Sequence, residues 1–283
     1  MVLASLSRLL RDAEKKGYAV SAFNAFNLET IQGILGGAQA VRAPVILQFT
    51  ESDLEYGGFS ETLALATMHA RQACVPVCVH FDHGKSVAAV KHAVATGFSS
   101  VMFDGSALEY DENVRLSRQA SAFCKSRRVS IELELGRLAG KEDYASERKS
   151  VFTSPEAAAE FERLTKPDAL AVSAGTSHGW HEKKQLLDVA LLKRIDAVTE
   201  TPLVLHGTSG LPDSMVREAV KAGVRKLNVK TRLHDAFNAA VKKMLLKNEA
   251  DARKCLAAGR EAVKAVVEQR LKVCGAAGKA EGF

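Results

Sequence analysis

The sequence predicts a single α/β domain, a (β/α)8 TIM barrel with a C-terminal helical extension. Two observations carry that expectation. Short β-branched runs alternate with longer stretches of helical periodicity, eight times along the chain. Polar residues of catalytic type then recur at one place in the alternation, the C-terminal end of each run. In a barrel those ends converge on one rim, where active sites form. The alternation alone also allows an open, doubly wound sheet.

The strand candidates are 19–23, 44–48, 75–80, 100–104, 130–135, 169–173, 202–206 and 226–229. The helical candidates between them are 28–42, 61–72, 87–96, 114–127, 155–164, 186–199 and 212–222. Gly97, Gly223 and Pro44 supply stops. The N-terminal segment reads as an amphipathic helix, because Arg8, Arg11 and Asp12 interrupt its apolar residues too early for a signal peptide. From Lys242 onward the chain reads as charged helix, and the closing run GAAGKAEGF is expected to be flexible. No internal repeat and no Pro/Gly linker divides residues 1–283.

Composition narrows the function. The net charge of +6 is spread without a block of five basic residues, which argues against a nucleic-acid partner and suits a small anionic substrate. No apolar run approaches the roughly 20 residues that cross a bilayer. The five cysteines are odd in number and form no CxxC pair, so a reduced, cytoplasmic chain is expected.

The rim residues define the chemistry. Asn24 follows strand one, Gln48 and Thr50 close strand two, and Asp82 and His83 follow strand three. Asp104 ends strand four and Glu134 lies near the end of strand five. His178 sits in SAGTSHG, His206 in LHGTSG, and Asn228 and Thr231 at the end of strand eight. Three histidines at equivalent positions, His83, His178 and His206, match the ligand set of a catalytic zinc. The remaining histidines lack that placement, and His80 is expected to support the rim, for example by bonding a carboxylate. Glycine- and hydroxyl-rich loops after strands six, seven and eight suit a phosphate. Asp82 is placed to exchange a proton with a substrate hydroxyl. Asp104 and Glu134 read equally as ligands of a second cation or as hydrogen-bonding supports. Glu142 lies in a long polar segment that suits a lid. A metal, a phosphate site and independent carboxylates suit carbon–carbon cleavage beside a carbonyl. A metal-dependent hydrolase or isomerase on the same barrel competes with that reading. The hydrolase would be expected to carry a His-x-His pair after strand one, where this chain has SAFNAFN. A non-catalytic accessory relative would have lost ligands that are present here.

On the motifs HFDHG, VMFDGS, ELELGRLAGKED, DALAVSAGTSHG, PLVLHGTSG and GVRKLNVKT, in that order, the sequence resembles the class II, zinc-dependent ketose-bisphosphate aldolases. The likeness is closest to the tagatose-1,6-bisphosphate type and more distant to the fructose-1,6-bisphosphate type. It spans essentially the whole chain. It implies His83, His178 and His206 as ligands of one catalytic Zn2+, Asp82 as acid/base at the substrate C4 hydroxyl, and Glu142 as the lid carboxylate for proton exchange at C3. It implies Asp104 and Glu134 as a second-cation site. Gly179, Gly207, Ser209, Asn228 and Thr231 match the dihydroxyacetone phosphate pocket, which a monovalent cation (Na+ or K+) often supports. Asn24, Gln48, Thr50, Thr208 and Lys230 complete the expected substrate-binding set. The implied reaction is reversible cleavage of a ketose phosphate to dihydroxyacetone phosphate and an aldehyde, in a homodimer or homotetramer. The chain departs from the pattern at Ala139, Thr208 and Lys230, and at Ala257, where the tagatose type places an arginine for the distal phosphate. Arg253 and Arg260 are the possible substitutes, and a ketose 1-phosphate is the alternative substrate.

Overall fold

The computed structural model describes residues 3–136, 139–140, 151–178 and 187–283, with the backbone alone at 139, 140, 177 and 178. In chain order the elements are α1 (Leu6–Lys16), β1 (Val20–Asn24), α2 (Leu28–Ala40), β2 (Val45–Phe49), α3 (Glu51–Gly57), α4 (Phe59–Gln72), β3 (Val77–Gly84), α5 (Val87–Thr96), β4 (Ser100–Phe103), α6 (Tyr110–Ser126), β5 (Ser130–Leu135) and β6 (Ala139–Gly140). They continue as α7 (Pro155–Thr165), β7 (Ala169–Val172), β8 (Ser177–His178), α8 (Val189–Asp196), β9 (Leu203–Leu205), a 3-10 turn (Thr208–Gly210), α9 (Asp213–Lys221), β10 (Val224–Val229), α10 (Thr231–Leu245) and α11 (Ala252–Val273).

Eight parallel strands close in the order β1-β10-β9-β7-β5-β4-β3-β2, so the structure is the barrel and not the open sheet. The short β6 and β8 pair with each other above it, Gly140 opposite His178. Among the described residues no helix is long and apolar enough to cross a membrane.

Local chemistry explains the element boundaries. Asn27 and Thr30 form a reciprocal cap at the start of α2. Ser86 and Ser154 cap α5 and α7, the latter with Pro155 in the first turn. The sequence places a helix at 186–199, but it begins at Val189 because Asp188 accepts the Leu191 N–H at 2.8 Å. The unexpected α3 starts where the Asp53 carboxylate accepts both the Thr50 N–H, at 2.9 Å, and the Thr50 hydroxyl, at 2.8 Å.

The C-terminal extension docks along α2, and two glycines allow it. A Cβ on Gly33 would lie 2.7 Å from the Arg260 carbonyl oxygen, and one on Gly37 2.8 Å from that of Lys264. The helices therefore touch at backbone distance and run parallel. The closing run, expected to be flexible, is tied down instead. Gly278 N–H donates to the Val41 carbonyl at 2.9 Å, Ala280 N–H donates to that of Arg42 at 3.0 Å, and Ala276 is buried. Backbone hydrogen bonds to the end of α2 supply what its small side chains lack.

Candidate active site

The site is built first by an irregularity in β3. The strand does not stop at residue 80, as the sequence suggested, but continues through Asp82 and His83 to Gly84. Its register against β4 shifts between Phe81 and Gly84, and His83 has a positive φ of 54°. In a regular strand adjacent side chains point to opposite faces. The bulge turns both Asp82 and His83 to the barrel mouth. Left-handed backbone at a non-glycine residue costs on the order of 1–3 kcal/mol and is held by its surroundings.

Those surroundings are specific. His83 Nδ1 faces Asp104 Oδ2 at 3.1 Å, and its Nε2 lies 2.9 Å from His206 Nδ1. His206 Nε2 faces Glu132 Oε1 at 2.9 Å. The Asn228 amide donates to His206 Nδ1 at 3.1 Å and to Asp82 Oδ1 at 3.1 Å. Asn24 and Gln48 donate to Asp82 Oδ2 at 3.1 and 3.0 Å, and Gln48 also donates to Asn24 Oδ1 at 2.7 Å. Asp82 thus accepts from three amides, all buried. Burial alone would raise the Asp82 pKa; the fields of His83, Lys226, His206 and His80 outweigh it and hold the carboxylate below its usual range. At Asp104 burial is likewise overcome, by the His83 and Lys85 contacts, and its pKa falls well below the usual value.

One layer deeper lies a polar cluster that sequence reasoning missed. Lys226 Nζ is 2.8 Å from Glu132 Oε2, with both side chains completely buried. His80 Nδ1 meets the Ser100 hydroxyl at 2.7 Å, and its Nε2 is 3.7 Å from Glu132 Oε2. His80 therefore lies beside a supporting carboxylate without hydrogen-bonding it. Its pKa is lowered to about 3, by burial first and the Lys226 ammonium second. Glu132 is held below the carboxylate range despite burial, by Lys226 and His206. Two signals were available. Glu132 shares a strand face with Glu134, and Lys226 shares one with Asn228, each two residues apart.

The donors suit a divalent metal. With the His83 Nδ1–H given to Asp104 and the His206 Nε2–H given to Glu132, the facing nitrogens present lone pairs 2.9 Å apart. That arrangement repels until a cation or proton stands between them. The Asn228 donor on His206 Nδ1 independently fits a lone pair there. Ring nitrogens oriented from behind by carboxylates are the usual environment of metal-binding histidines. Asp82, His83 and His206 place one possible ligand atom each within 4.8 Å of one another, and so do His83, Asp104 and Glu134.

Other expected residues fall variously. His178 has its backbone in β8, beside the Thr208–Gly210 turn, and its side chain lies outside the description. Glu142 and Gly179 lie outside the described residues altogether. Thr50 spends its hydroxyl on the start of α3. The Thr208 hydroxyl donates to the Asn228 carbonyl at 2.6 Å, tying the turn after β9 to β10. Gly207 opens that turn with φ 65°, and the Arg232 Nε donates to the Ser209 carbonyl at 3.0 Å, bracing it from α10. Lys230 and Thr231 begin α10 beside it. A surface cavity of about 840 Å³ is at the opposite face, where Ser7, Asp168 and Thr201 lie.

The profile of the class-II fructose-bisphosphate aldolase family matches residues 4–279. The chain belongs to this family. It is an aldolase, a carbon–carbon lyase. Among solved structures, it is similar to the YdjI aldolase from Escherichia coli K12, with 32% identity over 99% of this chain and 100% of that one and a TM-score of 0.89. It is also similar to a candidate fructose-1,6-bisphosphate aldolase from Coccidioides immitis, with 29% identity over 98% of each chain and a TM-score of 0.90. The fructose-bisphosphate aldolase of Campylobacter jejuni shares the fold at 23% identity over 98% of this chain and 97% of that one, with a TM-score of 0.84. The metal-dependent hydrolase reading is thereby set aside.

Proposed function

We propose that this aldolase is zinc-dependent and reversibly cleaves a ketose phosphate, such as tagatose or fructose 1,6-bisphosphate, to dihydroxyacetone phosphate and an aldehyde. The observation that carries the proposal is the pair of ring nitrogens of His83 and His206, 2.9 Å apart and adjoining the triply hydrogen-bonded Asp82. His83 and His206 would hold the zinc, with His178 as the third ligand. When bound, the metal supplies a Lewis acid at the carbonyl next to the scissile bond.

The chain's own residues do the rest. Asp82, ionised and fixed by Asn24, Gln48 and Asn228, takes the proton of the C4 hydroxyl as the C3–C4 bond breaks. In the reverse direction it returns that proton to the aldehyde oxygen. Glu142 handles the proton at C3. Gly179, Gly207, Thr208, Ser209, Lys230 and Thr231 hold the phosphate of dihydroxyacetone phosphate, with a monovalent cation (Na+ or K+) at the same pocket. The assembly is a homodimer or homotetramer in the cytoplasm.

A second reading concerns the other end of the substrate. Near the rim end of α11, Ala257 stands where an arginine is expected. Arg253 is held by Asp251 at 3.0 Å, and Arg260 by Glu261 and Gln32, each at 3.2 Å. Both are exposed surface pairs, and with no arginine at 257 itself a ketose 1-phosphate giving a non-phosphorylated aldehyde is the alternative substrate. Release of dihydroxyacetone phosphate from a panel of ketose 1-phosphates and 1,6-bisphosphates decides between them. A kcat/KM for tagatose 1,6-bisphosphate above that of every monophosphate would refute the second reading. Failure to release dihydroxyacetone phosphate from any of the panel would refute the first.

A further inference from the structure

The second group of ligating side chains, His83, Asp104 and Glu134, shares His83 with the reaction site and has the composition of a cation site. The protein's own groups already engage its Asp104 and His83 members. The Lys85 ammonium lies 2.5 Å from Asp104 Oδ2, the same oxygen that faces His83 Nδ1 at 3.1 Å. The other oxygen, Oδ1, accepts the Ser106 N–H at 3.0 Å and the Ser106 hydroxyl at 2.6 Å. Both oxygens of Asp104 therefore have donors. The His83 Nδ1 that bonds Asp104 carries its proton there while Nε2 faces His206, so it offers no lone pair to a second ion.

The lysine is also placed by the backbone. It follows Gly84 at the end of β3, and its N–H donates to Glu51 Oε1 at 3.0 Å. Its side chain is half exposed while the carboxylate it meets is buried. The stem thus crosses from solvent to the rim and delivers a compact point charge to a carboxylate in a low-dielectric site.

We propose that Lys85 is a built-in cation: its ammonium takes the place of a second metal at Asp104, and by clamping Asp104 it fixes the ring of His83. The inference rests on the metal reading above, and it assigns the chain a single divalent ion per protomer. It replaces the expectation that Asp104 and Glu134 hold a second cation. Lys85 is a positioning residue, acting through Asp104 on His83.

Equilibrium dialysis of the folded enzyme against Zn2+ or Mn2+ alone, with metal content measured by emission spectroscopy, tests it. Circular dichroism serves as the check on fold, which a change at this half-exposed side chain should leave intact. The wild type and Lys85→Arg plateau at one ion per chain. Lys85→Ser removes the ammonium, and its plateau shifts to two. Lys85→Ser combined with Asp104→Asn returns to one or fewer. A wild-type plateau of two, or a Lys85→Ser plateau that stays at one, overturns the inference while leaving the metal reading intact. No bound ion in any form overturns both.

Discussion

Asp82 has both its oxygens occupied by amide donors, which fixes its orientation, while the fields of His83, Lys226, His206 and His80 keep it ionised despite burial. Asp82→Asn preserves the size of the side chain and removes the proton acceptor. We expect kcat to fall by roughly 10²–10⁴-fold while bound metal stays unchanged, measured as product release and metal content on one sample. The deeper pair answers to a different test. Lys226→Met leaves the Glu132 carboxylate buried without its counter-charge, at a cost of about 3–5 kcal/mol in urea unfolding. Adding Glu132→Gln to that variant should recover most of the loss, because the amide oxygen still accepts from His206. Asn24, Gln48, Asp82, His83, Asp104, His206 and Asn228, which the structure brings together, were legible because polar side chains at strand ends have a position that a sequence map can assign. Glu132 and Lys226 were not, because each is a charge inside a strand and only the closed barrel shows that they neutralise each other. Lys85 was in view beside His83, yet nothing in the one-dimensional pattern says that its ammonium folds back onto a carboxylate nineteen residues away.

At the scale of elements, the barrel strands were found within a few residues because β-branched runs mark them. What escaped was irregular. The bulge in β3 has no sequence signature apart from Gly84, and α3 rests on one carboxylate reaching back to Thr50. The packing of α11 on α2 gives a graded test. Gly33→Ala and Gly37→Ala force a methyl against backbone and Val263 or Val267, and should each cost about 1–3 kcal/mol of unfolding free energy. Gly36→Ala, one position from Gly37 with its nearest neighbour at 3.7 Å, should instead gain about 0.5–1 kcal/mol through helix propensity. Thermal unfolding of the three variants side by side reads this directly. Equal effects at all three would mean that α11 does not lie at backbone distance from α2.

For the whole molecule, the buried titratable groups set the acid limit of stability. The folded pKa of His80, about 3, lies below its unfolded value near 6.5. Between those values the unfolded chain binds a proton that the folded one refuses, so stability falls as pH drops through that window, by up to about 1.4 kcal/mol per pH unit. Asp82, Asp104 and Glu132 also have lowered pKa values, so their contributions are present above the unfolded carboxylate range and are lost below it. Melting temperature against pH should therefore decline from about 6.5 and steepen under about 4.5. His80→Asn should flatten only the upper part, with and without chelator, since metal release adds its own acid dependence. The central claim is that the barrel mouth is a metal site serving aldol cleavage, and reconstitution tests it most directly. Chelation should abolish release of dihydroxyacetone phosphate from the best ketose phosphate, and stoichiometric Zn2+ should restore it. Full cleavage in the metal-free enzyme would contradict the account.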